Sequence, residues 1–523
     1  MGLTLPDLVT HDNGGVLDRG DSLGSAAARA TVLDDQATGG GLRPGGDRQR
    51  PVRHAVRARV RQTGQTRGHR GQEDAPGRRV RPHGHDPVQD VPRGCSTSVR
   101  LSPHGFYGKS YSMKTVTIED ILYRVQRVVS SEEDVVRAQL KAARVDVVPG
   151  FARFENEHEI SIVRDDNDQK KKNGAVSGSS SNLDSLSRIR ADKFLIACGT
   201  RPAHNPLIPI DGKVVIDSDQ ILSRDMHQLP RSLIVLGAGV IGMEYASMVN
   251  VVPGHTVTVV DGRPDILSFC DSEIISNLTY EMQSNGARFL LGETVKKVET
   301  TDKRVKVFFN SGKVLSADAL LYTVGRQAAT DGLNLEAVGL SRNHRGLINV
   351  NKNYQTDQPH IYAAGDCIGA PALASTSMEQ GRLASCHMWN PDEELAATSQ
   401  LENGNYPYGI YTIPEISMVG QTEQQLTKDC VNYEIGIAKP DDGAMAGGTL
   451  KILFDPDTLK VFGVHAIGEG ATEIIHIGQV AMAMDCSLTY FRDAVFNYPT
   501  LAEAYRVAAL NGLGRLSRNT YDH

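Results

Sequence analysis

Short apolar runs that stop on a glycine or an aspartate recur along this chain and predict strands feeding tight turns. "SLIVLG" (232–237), "TVTVVD" (256–261), "LLYTVG" (320–325) and "HIYAAG" (360–365) are the clearest, with "HEISIVR" (158–164) and "KFLIACG" (193–199) before them. Between the first two lies "MEYASMV", a run compatible with a helix. Strands alternating with a helix in this way argue for an α/β fold.

Two stretches break the pattern. Residues 1–100 contain no Phe, Tyr, Trp, Ile or Lys, and from Gly39 to Arg100 they are rich in Arg, Gly and Pro. A segment so poor in apolar surface cannot offset the entropy of ordering it, and it is expected to be disordered up to about His104. Within it, "RPHGHDPVQD" sets His83, His85 and Asp86 close together. No strand or helix is predicted there to orient them as metal ligands, so a solvated loop is the plainer reading and no metal is expected. The second stretch, Asp165 to Ser187, is polar and Gly/Ser-rich and reads as an exposed excursion between "HEISIVR" and "KFLIACG".

A length of 523 residues exceeds what one hydrophobic core serves, so several domains are expected. The net charge of −6 offers no basic field for nucleic acid or anionic lipid. No apolar run reaches the roughly 18 residues that span a bilayer, and a cytosolic protein is expected. Cys95, Cys198, Cys270, Cys367, Cys386, Cys430 and Cys486 are scattered without zinc or disulfide spacing, and reduced thiols follow.

The strand "SLIVL" runs straight into Gly237, Gly239 and Gly242, a G-x-G-x-x-G turn with Ala238, Val240 and Ile241 between the glycines and Glu244 just beyond. Such a motif alone is common by chance; its place between a strand and a helix gives it weight. Gly237 suits a tight turn, Gly239 close approach of a diphosphate, and Gly242 packing of helix on strand, while the helix N-terminus supplies partial positive charge. Asp261 closes the next strand, 19 residues beyond Gly242, where a carboxylate meets a ribose 2'-hydroxyl. Arg263, two residues on, offers a guanidinium for the 2'-phosphate of NADP, or is an ordinary surface arginine.

Downstream, Gly365 and Asp366 follow an apolar strand in "YQTDQPHIYAAGDCIG", where the carboxylate suits either a hydroxyl chain or a helix cap. Together with "IACGTRP" (196–202) and "TVGR" (323–326), this pattern resembles the flavoprotein reductases with two dinucleotide-binding domains, the FAD-dependent pyridine nucleotide-disulfide oxidoreductase family. The resemblance implies an FAD domain in two parts (105–221 and 342–405), an NAD(P)-binding domain (222–341) and a C-terminal α+β dimerisation domain (406–523), hence a homodimer. It implies that Asp366 holds the ribityl chain of FAD. Leu373, Ala374 and Ser375 would line the flavin edge, Cys198, Gly199 and Thr200 would sit near FAD, and Gly325 near the nicotinamide nucleotide.

"GIYTIPEISMVGQTEQQL", "GEGATEIIHIGQ" and "FNYPTLAEAYRVAALNGL" resemble the dimerisation domain of the family's soluble transhydrogenase branch. That branch implies hydride transfer from NADPH to NAD+ through FAD. The disulfide reductases of the family, such as dihydrolipoyl dehydrogenase, carry a histidine before the Pro-Thr pair and a later glutamate that holds it. This chain has Tyr498 there, before Pro499, Thr500 and Glu503. A phenol titrates at about pH 10, too high for a base at neutrality. Coenzyme-to-coenzyme transfer needs no side-chain base. No catalytic side chain is therefore assigned; Tyr498 is expected to pack at a subunit interface, and His465 and His476 to be structural. A dihydrolipoyl-dehydrogenase-like reductase and a non-catalytic NAD(P)-binding protein are the alternatives.

The family's opening features, a strand with a Gly-rich turn and then Gly-Gly-x-Cys leading to Gly-Thr-Ile-Pro-Ser-Lys, are absent from residues 1–104. Codons shifted by one nucleotide restore them on paper. From Asp47 through His54 they permit Ile-Gly-Ser-Gly-Pro-Ser-Gly, and from Pro76 through Val91 a run ending Gly-Thr-Ile-Pro-Ser-Lys-Thr. The segment is thus expected to be a frame-shifted remnant of the first FAD-binding unit, with a genuine basic extension as the alternative. In the shifted reading the second redox cysteine is a threonine, which again disfavours thiol chemistry.

Overall fold

The computed structural model describes residues 30–33, 118–163, 187–221, 229–391, 404–439 and 448–519. Apart from Ala30–Leu33, the anomalous N-terminal segment lies outside the described residues, and with it His83, His85, Asp86 and the frame-shifted motifs. Ala30–Leu33 pairs antiparallel with Lys193–Ile196.

At the centre stands a five-stranded parallel sheet in the order Arg288–Leu291, Thr256–Asp261, Ser232–Leu236, Ala319–Tyr322, Val215–Asp217. Its strands are mostly apolar because both faces are covered. Leu233, Val235, Val257, Val259 and Leu321 pack with Met243, Ala246, Val249, Leu278 and Met282 of the crossover helices Val240–Asn250 and Ser272–Ser284. The alternate residues Ile234, Leu236, Val260 and Leu320 pack with Val298, Val305, Val307 and Phe309 of an antiparallel three-stranded meander. Burying each such side chain contributes about 1.5–3 kcal/mol, which fixes the register of every strand.

A second module has the parallel pair Lys193–Ile196 and Ile361–Ala363, helix Ala374–Trp389, and the antiparallel sheet Phe151–Asn156, Glu159–Val163, Ser187–Arg190, while helix Ile118–Ala142 packs Val125 and Val129 against the central core. The excursion expected to end at Ser187 therefore leads into a further short strand, and its residues 164–186 lie outside the described ones. Ser187–Arg190 alternates half-buried and exposed positions, too weak a pattern to stand out. Val215–Asp217 hydrogen-bonds into the central sheet, whereas Ala328, Leu333, Leu335, Val338 and Leu340 belong to the core around Phe194.

The third module is a five-stranded antiparallel sheet, Tyr408–Ile410, Ile416–Gly420, Val461–Ile467, Thr449–Phe454, Glu434–Ala438, packed under helices Ala471–Ala483, Leu488–Asp493 and Glu503–Asn519. It is joined to the central module through Ile410, Ile416 and Ile467, which share the core of helix Val240–Asn250. Among the described residues no helix is long and apolar enough to cross a membrane.

Candidate functional site

The chain leaves strand Ser232–Leu236 toward one side of the central sheet, and Ala319–Tyr322 lies on the other side. Between their carboxyl ends is a topological switch point, where open parallel sheets place ligands. Both strand ends are glycine turns. Gly237 has φ +111° and its amide donates to the Val260 carbonyl at 2.8 Å; a Cβ on it would stand 2.7 Å from the Thr323 carbonyl oxygen. A Cβ on Gly242 would meet the Gly237 carbonyl at 1.9 Å, so helix and strand are in direct backbone contact there. Gly239 is different: its φ of −81° suits any residue and nothing lies within 4 Å of its missing Cβ. It begins helix Val240–Asn250 and no side chain caps it, so amide donors and the dipole's positive end face that open space.

Thr323 braces the cradle. Its hydroxyl donates to the carbonyls of Leu236 at 2.9 Å and Gly237 at 3.0 Å, and its amide to Leu236 at 2.9 Å. Val240 and Ile241 are half-buried in the first turn, and Ala238 is fully buried. Glu244 is buried and turned to the third module, where its carboxylate accepts from the Tyr411 amide at 3.0 Å.

Asp261 is buried at the end of the second strand. Its carboxylate accepts from the Ala238 amide at 2.7 Å, the Arg263 amide at 2.9 Å, and the Arg263 guanidinium at 3.0 Å and 2.8 Å. Burial alone would raise its pKa; the Arg263 side chain and the two amides outweigh that and hold it below the ordinary carboxylate value.

The crossover segments "IACGTRP" and "TVGR" meet as the antiparallel pair Thr200–Pro202 and Arg326–Ala328. Arg326 donates to Thr200 Oγ1 and to the Thr200 carbonyl, both at 2.7 Å, and to Asp219 at 2.9 Å; Thr200 Oγ1 in turn donates to Asp366 at 3.2 Å. One hydrogen-bonded line therefore runs from the end of the central sheet to Asp366. Gly199 and Gly325 turn the chain at φ +64° and +86° on either side of it. Sequence reading quoted Arg326 without giving it a role and passed over Asp219, which no local motif marks.

Gly365 (φ +78°) and Asp366 form a tight 3-10 turn after strand Ile361–Ala363, and the Gly365 amide donates to Gln380 at 2.7 Å. Leu373 precedes helix Ala374–Trp389, whose first residues are Ala374 and Ser375 and which no side chain caps. Cys198 is buried beneath this region. The six cysteines among the described residues are free thiols.

Asp271, Glu273 and Glu423 point carboxylate oxygens within 4.8 Å of one another, a grouping that sequence did not reveal. Their cation is the buried Lys451, whose ammonium lies 3.0 Å from Asp271 and 3.2 Å from Glu273 and is hydrogen-bonded to Glu423. His465 is buried, its Nε2 is 2.9 Å from the Gln421 carbonyl, and burial lowers its pKa. His476 pairs with Gln479 at the surface. Tyr498 is 78% exposed, and Val480, Met484, Tyr490 and Val495 of the same module are exposed as well.

Residues 98–381 match the pattern of the pyridine nucleotide-disulphide oxidoreductases, and residues 406–509 that of their dimerisation domain. The soluble pyridine nucleotide transhydrogenase of Mycobacterium tuberculosis (strain ATCC 25177 / H37Ra) is 42% identical over 423 residues, covering 80% of this chain and 85% of its own. That of Photobacterium profundum is 39% identical over 439 residues, covering 82% and 88%. Among solved structures, LpdA from M. tuberculosis superposes with a TM-score of 0.69 at 25% identity, over 81% of this chain and 88% of its own. The HOCl-induced flavoprotein disulfide reductase RclA from Escherichia coli shares the fold, with a TM-score of 0.67 at 24% identity over the same shares.

Proposed function

The chain belongs to the pyridine nucleotide-disulphide oxidoreductase family, and from that premise we propose that it passes hydride between NADPH and NAD+, as the name of its transhydrogenase relatives states of them. The observation that carries this reading is the cradle at Gly237–Gly242. It sits at the switch point of a parallel sheet, with one glycine in a left-handed turn, one against backbone, and one facing open space at a helix N-terminus. Its residues would bind the diphosphate, and Gly325 would stand beside the nicotinamide end.

The family's FAD, when bound, accepts hydride from one nicotinamide and returns it to another. The described residues fit its ribityl end: the Asp366 carboxylate is held at the surface of the turn by Thr200, between Gly199 and the uncapped helix that starts after Leu373. Leu373, Ala374, Ser375 and Cys198 would line that end. The diphosphate end would fall to the N-terminal segment, which lies outside the described residues apart from four, and residues 1–117 contain no G-x-G-x-x-G. That observation favours one second reading, a chain that binds NAD(P) but not FAD. Purified protein that is colourless and still binds NADH would support it.

Tyr498 in place of a histidine sets the chain apart from the family's thiol chemistry. With FAD supplied, it is expected to reduce a thio-analogue of NAD+ with NADPH and to leave lipoamide untouched. Lipoamide turnover without transfer between coenzymes would overturn the proposal.

The match of residues 406–509 to the family's dimerisation domain supports a homodimer. Val495 of that region is 94% exposed, costly to leave in water. Sedimentation should give a dimer for the wild type and a weaker one for Val495→Asp; a monomeric wild type contradicts it.

A further inference from the structure

His158 sits in the turn between strands Phe151–Asn156 and Glu159–Val163, and His360 directly before strand Ile361–Ala363. Their ring centroids are 4.7 Å apart and the ring planes are inclined by 36°. Both rings are anchored. His158 Nδ1 lies 3.0 Å from the Ala191 carbonyl oxygen, and His360 Nε2 lies 2.7 Å from that of Glu157. A carbonyl oxygen only accepts, so these two nitrogens carry protons and donate, and in each neutral ring the other nitrogen keeps its lone pair. Those nitrogens, Nε2 of His158 and Nδ1 of His360, have no hydrogen-bond partner among the described residues, and both histidines are half-buried rather than enclosed.

The backbone beneath them is fixed as well. The His158 carbonyl accepts from the Ala191 amide at 3.0 Å, the His158 amide donates to Asn156 Oδ1 at 3.1 Å, and the His360 carbonyl accepts from the Phe194 amide at 2.9 Å. Histidines that bind metals are prepared in this way, one nitrogen donating its proton to a carbonyl so that the tautomer and the direction of the other lone pair are set. The separation of the rings fits too. A ligating nitrogen stands about 2.0 Å from its metal and about 1.1 Å from its own ring centre, which puts two neighbouring ligands' centroids about 4.5 Å apart at a right angle and about 5.1 Å apart at the tetrahedral angle. The observed 4.7 Å falls between. Stacking alone would account for the distance, but it does not call for two anchored tautomers that each leave one nitrogen without a partner. Among the described residues no third His, Cys, Asp or Glu joins the pair in a cluster with ligand atoms within 4.8 Å of one another. Water would complete the coordination, which suits the tetragonal geometry of copper(II) or nickel(II) and not the closed tetrahedron of structural zinc.

We infer that His158 and His360 form a two-nitrogen site for a divalent late first-row cation, copper(II) above all because affinity for nitrogen ligands peaks there. The bound ion ties the turn of the antiparallel sheet to the strand that leads into Gly365 and Asp366. It needs neither the nucleotide cradle nor a flavin, so the site stands or falls apart from the proposed function.

Copper(II) alone is the probe, added to the full chain after its accessible thiols have been alkylated so that they do not reduce it. Equilibrium dialysis counts the bound ions, and electron paramagnetic resonance reports nitrogen ligation. The wild type is expected to hold one more copper per chain than His158→Asn or His360→Asn, each substitution weakening the site at least about tenfold. The double variant should lose no more than either single one, because half of a chelate is not a site. His344→Asn, which removes an exposed histidine elsewhere, should leave the count unchanged. A measurement on the wild type needs no variant to fold: one equivalent of copper(II) should protect both His158 and His360 from carbethoxylation by diethyl pyrocarbonate, read by peptide mass spectrometry. Equal counts in the wild type and both variants, additive losses in the double variant, or failure to protect both histidines would each overturn the site and leave only a stacked pair.

Discussion

Lys451 lies wholly buried in a strand of the third module, and its ammonium reaches across to Asp271 and Glu273 of the central one. Asp271 is itself buried and caps helix Ser272–Ser284 by accepting from the Glu273 amide. Removing the cation would leave that carboxylate in the interior without its partner, so Lys451→Met should lower stability by about 3 kcal/mol in denaturant titration, against nearly no change for a surface lysine such as Lys297. Burial alone pulls the Lys451 pKa down; the hydrogen bond it donates to Glu423 and the charge of Asp271 outweigh it and hold the pKa above the ordinary 10.5. The sign follows from linkage. A raised folded pKa means a contribution complete below about 10.5 and lost as pH rises through the folded value, so the wild type should lose stability faster than Lys451→Met above that pH. Parallel alkaline limbs would contradict this. None of it was legible in the sequence: lysines are usually exposed, and Lys451 is 180 positions from Asp271. Asp261, by contrast, was legible because its distance from the glycine turn is fixed by one helix and one strand.

At the scale of elements, the strand-turn-helix from Ser232 to Asn250 was readable because each glycine has a separate steric duty, and those duties can be tested apart. Gly242→Ala drives a methyl into the Gly237 carbonyl and is expected to cost about 2–3 kcal/mol of stability along with dinucleotide binding. Gly239→Val adds a side chain where nothing lies within 4 Å and where φ is ordinary, so the fold should change by no more than about 1 kcal/mol. Its NADH affinity should still fall at least about tenfold, because the added atoms fill the space a diphosphate needs. Thermal melts and NADH titrations of both variants check this; a Gly239→Val protein that binds normally would remove the diphosphate from this turn. The apolar strands of the central sheet were equally plain. Ser187–Arg190 and Val215–Asp217 were not: one has three polar residues of four, the other is only three residues long, and long-range pairing rather than local pattern makes them strands.

At the scale of the whole molecule, the central and third modules are clamped together through the nucleotide helix. Glu244 accepts from the Tyr411 amide, Ser247 Oγ accepts from the Ile413 amide at 3.0 Å, and Ile410, Ile416 and Ile467 extend the helix's own core. This explains why residues 242–250 are buried all round, and why the helix shows little amphipathic pattern. The third module was recognised by its resemblance to a family rather than by periodicity, and no local pattern marks that Ala328–Leu340 packs in the core around Phe194 after passing the crossover. The proposed function requires the one cradle at Gly237–Gly242 to admit NADPH and NAD+ in turn. Equilibrium titration of the full chain with NADPH, repeated at rising NAD+, tests that most directly. The account predicts purely competitive displacement from a single site, whereas simultaneous binding of both coenzymes, or no binding of either, would contradict it.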